Sequence, residues 1–129
     1  MINGTDLAEA LATLLGEILD IRVHPYPPDT FLPPGAVVGQ PTLSWETDNR
    51  TFTAIQWTFP ITLAVARPTE REAQMELLRM VEAVGDVLAE SADLGGLAQS
   101  TRLMSAAPAQ VTASGIDYPA YLCSAEIIA

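Results

Sequence analysis

Near the start of the chain, hydrophobic residues recur at helical spacing: Leu7, Leu11, Leu14, Leu15 and Ile18 share one face of "TDLAEALATLLGEILD". That spacing predicts a helix over about 6–19. Thr5 is placed to cap its free N–H groups, and Asp6 and Glu9 fall in the first turn, where the helix dipole favours negative charge. The period then changes. "IRVHPY" sets Ile21 and Val23 against Arg22 and His24, a short strand, and runs into "PYPPDTFLPPG", whose prolines and glycine forbid regular structure. Within that loop, Pro27 to Gly35, the apolar Phe31 and Leu32 have little local structure to cover them. They either fold back on the core or meet a partner.

Strand patterns follow. "AVVGQ" is one, and "TLSWETDNRTFTAIQW" reads as two extended arms about a turn at Thr47 to Arg50. Trp57, Phe59, Ile61, Leu63 and Val65 then alternate with Thr58, Pro60, Thr62, Ala64 and Ala66, a strand with one apolar face. Pro60 has no N–H for a ladder, so this strand is expected at an edge there, or bulged, and an open edge is where another chain can add.

Thr69 and Glu72 form a T-x-x-E capping box, with Glu70 and Arg71 in the first turn of a second helix that runs to about Ala89. Ala73, Leu77, Val81, Val84 and Leu88 line one face; Glu72, Glu76, Arg79, Glu82 and Asp86 take the others, and Arg79 can pair weakly with Glu76 and Glu82. Gly85 inside it costs about 1 kcal/mol relative to alanine. Beyond "DLGGLAQS" come extended segments at about 101–112 and 118–128, joined by the turn "ASGIDYP". No segment repeats. The order predicts a single domain over 1–129, of α+β class: a mainly antiparallel β-sheet with two α-helices packed on one face.

The composition fits one core: 129 residues, 49% hydrophobic and 17% charged. No apolar run of about 18 residues is present and the first helix has no basic lead, so a soluble chain of cytoplasmic origin is expected, with no membrane partner. Charge narrows the picture further. Sixteen acidic residues face six basic ones, all arginine, for a formal net charge of −10 and no lysine. Affinity for the phosphate backbone needs clustered positive charge, and Arg22, Arg50, Arg67, Arg71, Arg79 and Arg102 are scattered. An acidic surface lets DNA pass without adhering; it also simply keeps a protein in solution.

Candidate chemistry is sparse. His24 is the single histidine, so a two-histidine metal site is impossible, and its setting beside Pro25 favours a structural or surface role. Neither a G-x-S-x-G elbow nor a lysine-bearing phosphate loop occurs, and "LGGL" is a turn. Asp86 with Glu90, and Glu72 with Glu76, are carboxylate pairs of the kind solvated helices carry. Cys123, alone in an apolar run, reads as a buried thiol. No catalytic, cofactor or metal residues are predicted. A small enzyme or ligand-binding domain would need an unfamiliar site around Trp45, Asp48 and Arg50.

The order of elements, the long alternating strand and capped helix of "WTFPITLAVARPTEREAQMELL", and the closing "DYPAYLCSAEIIA" resemble the tail terminator proteins of long-tailed bacteriophages, most nearly those of actinobacterial hosts. The resemblance covers most of the chain. It implies an α+β subunit that forms a six-membered ring in the virion neck, caps the tail tube, ends its polymerisation and meets the head's connector or stopper proteins. DNA would pass through the ring without specific binding. Such a protein needs surfaces rather than a reaction centre, and Phe31, Leu32, Trp45 and Pro60 are the expected intersubunit or tube contacts. Another neck component, a stopper or connector, would share these features; an acidic inhibitor or chaperone of host proteins is a further reading.

Overall fold

The computed structural model describes residues 3–28, 31–45, 55–66, 69–90 and 94–129. In chain order the elements are α1 (Gly4–Leu19), β1 (Val23–His24), β2 (Gly35–Val38), β3 (Thr42–Ser44), β4 (Gln56–Ala64), α2 (Glu70–Glu90), β5 (Ser100–Ala113) and β6 (Ile116–Ile128). The expected turn at Thr47 to Arg50 lies outside the described residues.

Both helices have identifiable hydrogen bonds at their ends. Asn3, not Thr5, caps α1: its Oδ1 accepts the Thr5 N–H at 2.8 Å. Asparagine is the better cap, so the helix starts earlier than the periodicity alone suggested. At the other end Asp20 turns left-handed, at φ 54°, and its N–H donates to the Gly16 carbonyl. For α2 the Thr69 hydroxyl accepts the Glu72 N–H at 3.2 Å, as the capping box requires. Near its C-terminus the Leu88 carbonyl, one of the last four of the helix, accepts the buried Thr101 hydroxyl at 2.7 Å.

The strands form one sheet in the order β1-β2-β4-β6-β5, with β3 also on β4. Among the described residues only β1 and β2 run parallel and the other pairings are antiparallel, so the sheet is mixed. Because β6 pairs with the whole of β4, from Gln56 to Ala64, β2 and β3 must share its other flank end to end, β2 beside 61–64 and β3 beside 56–58. The predicted alternating strand is thus the centre of the sheet; β1 and β5 are its outer strands, and β3, which pairs with β4 alone among the described residues, is a short third edge.

The edge expected at Pro60 is therefore corrected. Pro60 survives in an interior strand because its neighbour breaks opposite it: β2 stops at Val38 and β3 resumes at Thr42. In an antiparallel pair the N and C=O of a residue point to the same side. The Pro60 carbonyl takes the Gly39 N–H at 2.7 Å, so its hydrogen-less nitrogen faces the same gap. Only glycine fits across from it, since a Cβ on Gly39 would stand 2.8 Å from Pro60 Cγ.

Both helices cover the same face. Leu7, Leu11 and Leu15 of α1 and Leu77, Met80, Val84 and Leu88 of α2 close over Trp57, Phe59, Ile61 and Leu63 of β4 and Cys123, Ala125 and Ile127 of β6. Met80 and Val87 join the expected stripe, Val81 sits at its margin, and Ile18 is left 44% exposed on α1. Each large side chain buried here contributes roughly 1.5–3 kcal/mol. Surface ion pairs such as Arg79 with Glu76 contribute at most about 1 kcal/mol, so the apolar layer decides the fold.

The β5–β6 hairpin is longer than the sequence pattern indicated. Its turn is only Ser114–Gly115, both at positive φ (53° and 78°), the geometry of a type I′ hairpin. Ile116 to Pro119 therefore belong to β6. Since β4 pairs only as far as Ala120, the hairpin from Gln110 to Pro119 overhangs the sheet by about four residue pairs, roughly 13 Å.

Candidate functional site

The two sides of the molecule differ in charge. Asp6, Glu9, Glu17 and Asp20 lie on or at the end of α1, which carries no basic residue. Helix α2 bears Glu70, Glu72, Glu76, Glu82, Asp86 and Glu90 against Arg71 and Arg79. These helices supply most of the formal −10.

The sheet face turned away from the helices is built differently. Pairing places Gln56, Thr58, Pro60 and Thr62 of β4 beside Ile128, Glu126, Ser124 and Leu122 of β6, and those beside Ser100, Arg102, Ser105 and Ala107 of β5. Cross-strand partners share a face, which is why these residues are half-buried or exposed while Trp57, Phe59, Ile61 and Leu63 of β4 and Cys123, Ala125 and Ile127 of β6, which alternate with them, are core. Among the described residues of β4, β5 and β6, this face holds two charges, and they bond each other: Arg102 Nε donates to Glu126 Oε1 at 2.8 Å, and Gln56 Nε2 donates to Glu126 Oε2 at 2.6 Å. Leu122 stands at its middle, 48% exposed, between Thr62 and Ala107.

The four expected contact residues do not form one patch. Phe31 is half-buried: its ring lies over Gly35, where an added Cβ would meet Phe31 Cε1 at 2.9 Å, and edge-on to His24 at 6.0 Å. It folds back on its own sheet beside β1 and β2, the first of the two outcomes the sequence left open for it. Leu32 is 63% exposed and Trp45 67%. They sit at opposite ends, since Gly35 pairs with Ala64 and Ser44 with Gln56, eight residues apart along β4, or roughly 26 Å. Pro60 lies between them on the open sheet face. Asp48 and Arg50, the partners of Trp45 in the enzyme reading, lie outside the described residues.

Two open depressions flank the helices. One of about 590 Å³ runs beside the start of α1, between Thr5, Glu9, Tyr26, Pro41 and Phe59. Another of about 860 Å³ separates α2 from the hairpin, between Glu70, Leu78, Pro108, Asp117 and Tyr121. Among the described residues no three His, Cys, Asp or Glu side chains are placed to hold a metal ion. Cys123 is buried in the core, and burial pushes its thiol up to about 11, which leaves it protonated and unreactive near neutral pH. Trp57 Nε1 is buried without a hydrogen-bond partner among the described residues, its ring stacked on Phe59 at 6.3 Å. Among the described residues no helix is long and apolar enough to cross a membrane.

No family model matches the chain, and no curated protein matches it. The open sheet face was not among the sequence-derived candidates. Its signal was present in "YLCSAEII", where Leu122, Ser124 and Glu126 alternate with Cys123, Ala125 and Ile127, but which side the helices would cover depends on packing.

Proposed function

We propose that this chain is a structural subunit of the neck of a long-tailed bacteriophage, a tail terminator that forms a ring of six, caps the tail tube and ends its growth. The ring also presents the surface on which the head's connector or stopper proteins join. One observation carries this reading: charge is segregated, with carboxylates concentrated on the helices and a sheet face whose charges cancel. A subunit of this kind can pack against other protein through its neutral side while its acidic side faces solvent or DNA. Six copies would each bring a formal −10, so a bore lined by the acidic side repels the phosphate backbone and lets DNA slide. The resemblance of the joint from Trp57 to Leu78 and of the closing strand to tail terminators supports the same reading.

The test is electron microscopy of lysates from a phage whose copy of this gene has been deleted. Overlong tubes beside unjoined heads are expected. Tails of normal length beside unjoined or leaking heads would instead assign the chain to the stopper or connector.

A further inference from the structure

We infer that the groove between the first turns of α2 and the overhanging end of the β5–β6 hairpin docks a partner protein, through a short segment that carries a cationic side chain near an apolar one. The assignment rests on this groove alone, whether or not the chain belongs to a phage neck.

The groove follows from the topology. Leu88 of α2 bonds Thr101, and a Cβ on Gly85 would touch Leu103, so α2 runs antiparallel to β5 and its N-terminal turns lie toward the hairpin tip. Because β4 pairs with β6 only as far as Ala120, helix and hairpin face each other there, and among the described residues none of β4 lines the space between them. That space measures about 860 Å³.

Its two walls carry chemistry in the same order. On α2, Glu70 stands eight residues before Leu78, roughly 12 Å along the helix. On β6, Asp117 stands four residues before Tyr121, roughly 13 Å along the strand. One carboxylate from each wall therefore marks the end nearer the hairpin tip, and Leu78 and Tyr121, with Pro108 paired to Tyr121, mark the other. Leu78 is 50% exposed although Leu77 beside it is core, so the groove presents an apolar side chain that the fold itself leaves uncovered.

Charge names the occupant. Among the described residues, Glu70 and Asp117 are the charged side chains that line the groove, and no arginine joins them. Asp117 accepts the Thr112 hydroxyl through Oδ1 at 2.6 Å, which leaves Oδ2 for a donor from outside. Two carboxylates outweigh the roughly half a positive charge that the start of α2 contributes through its dipole. A guanidinium or ammonium group set between the walls meets both carboxylates, and the formal −10 of the whole chain draws such a segment in from a distance. A second copy brings its own −10 to this mouth, and an acidic segment is repelled by it.

Panning the folded chain against yeast-displayed random dodecapeptides tests this, with fluorescence anisotropy of an enriched peptide on matched variants. Enriched clones should share an arginine or lysine near a leucine, methionine or aromatic residue. Glu70→Gln/Asp117→Asn should weaken the enriched peptide at least about tenfold and Leu78→Ala by as much, while Glu9→Gln/Glu17→Gln, which removes the same charge from α1, leaves it within about threefold. All five positions are exposed, so the circular dichroism spectrum should be common to every variant. No enriched clone, clones without cations, or binding that the α1 pair weakens as much as the groove pair would overturn the inference. Cationic clones indifferent to Leu78→Ala would reduce the groove to a plain acidic surface, and self-association of the chain that Leu78→Ala abolishes would give the groove to a second copy; either result also overturns it.

Discussion

Gly85→Ala is the most direct test of how α2 is held. Gly85 lies well inside a helix of 21 residues, where glycine is about 1 kcal/mol less favourable than alanine because it has more backbone freedom to lose on folding. A glycine in such a position either provides space for a neighbour or is a tolerated cost. Here the added methyl would stand 3.6 Å from Leu103 Cδ2 on β5, an ordinary contact that demands no movement. The propensity gain should therefore be realised nearly in full, at about 1 kcal/mol. For a chain of this length that raises the midpoint of thermal unfolding by roughly 3–5 °C. Circular dichroism melts and urea titrations measure it, with the urea slope unchanged. An unchanged or lowered midpoint would refute the reasoning, because it would mean that α2 and β5 approach too closely for a methyl group and that Gly85 is a packing requirement.

Gly39→Ala should do the opposite: its Cβ would press on the Pro60 ring at 2.8 Å and disturb the hydrogen bond that ties the link between β2 and β3 to β4, lowering stability in the same melts by about 1–3 kcal/mol. Thr101→Val keeps the shape but removes the donor to the Leu88 carbonyl, so a loss of about 1–2 kcal/mol is expected by urea titration, against near neutrality for Thr112→Val at the exposed hairpin tip. Cys123 should resist iodoacetamide at pH 8 in the folded chain and react once the chain is unfolded in urea. Its folded pKa of about 11 lies above the ordinary 9.0, so the folded state holds its proton more tightly. The resulting stability is complete below pH 9 and is lost between pH 9 and about 11; a Cys123→Ala variant should lack that alkaline decline in chemical-denaturation profiles.

The amino-acid sequence by itself determined the local elements and their inner faces. Helical spacing marked α1 and α2, T-x-x-E marked the start of α2, and strict alternation from Trp57 to Val65 marked the core side of β4, because these patterns are set by the geometry of one segment. It also fixed the acidic balance and the absence of a lysine or a second histidine. Tertiary structure alone decided where β4 sits. Pro60 reads as an edge residue in isolation, yet it is central, since two short strands leave a gap opposite its nitrogen that no pattern within β4 encodes. Phe31 in isolation could fold back or meet a partner, and only the placement of Gly35 and His24 beside its ring decides for folding back. The parallel pairing of β1 with β2 and the neutral face around Leu122 belong to the same class. Each depends on which segments meet across long stretches of chain, and that is settled by burial summed over the whole core rather than by any local preference.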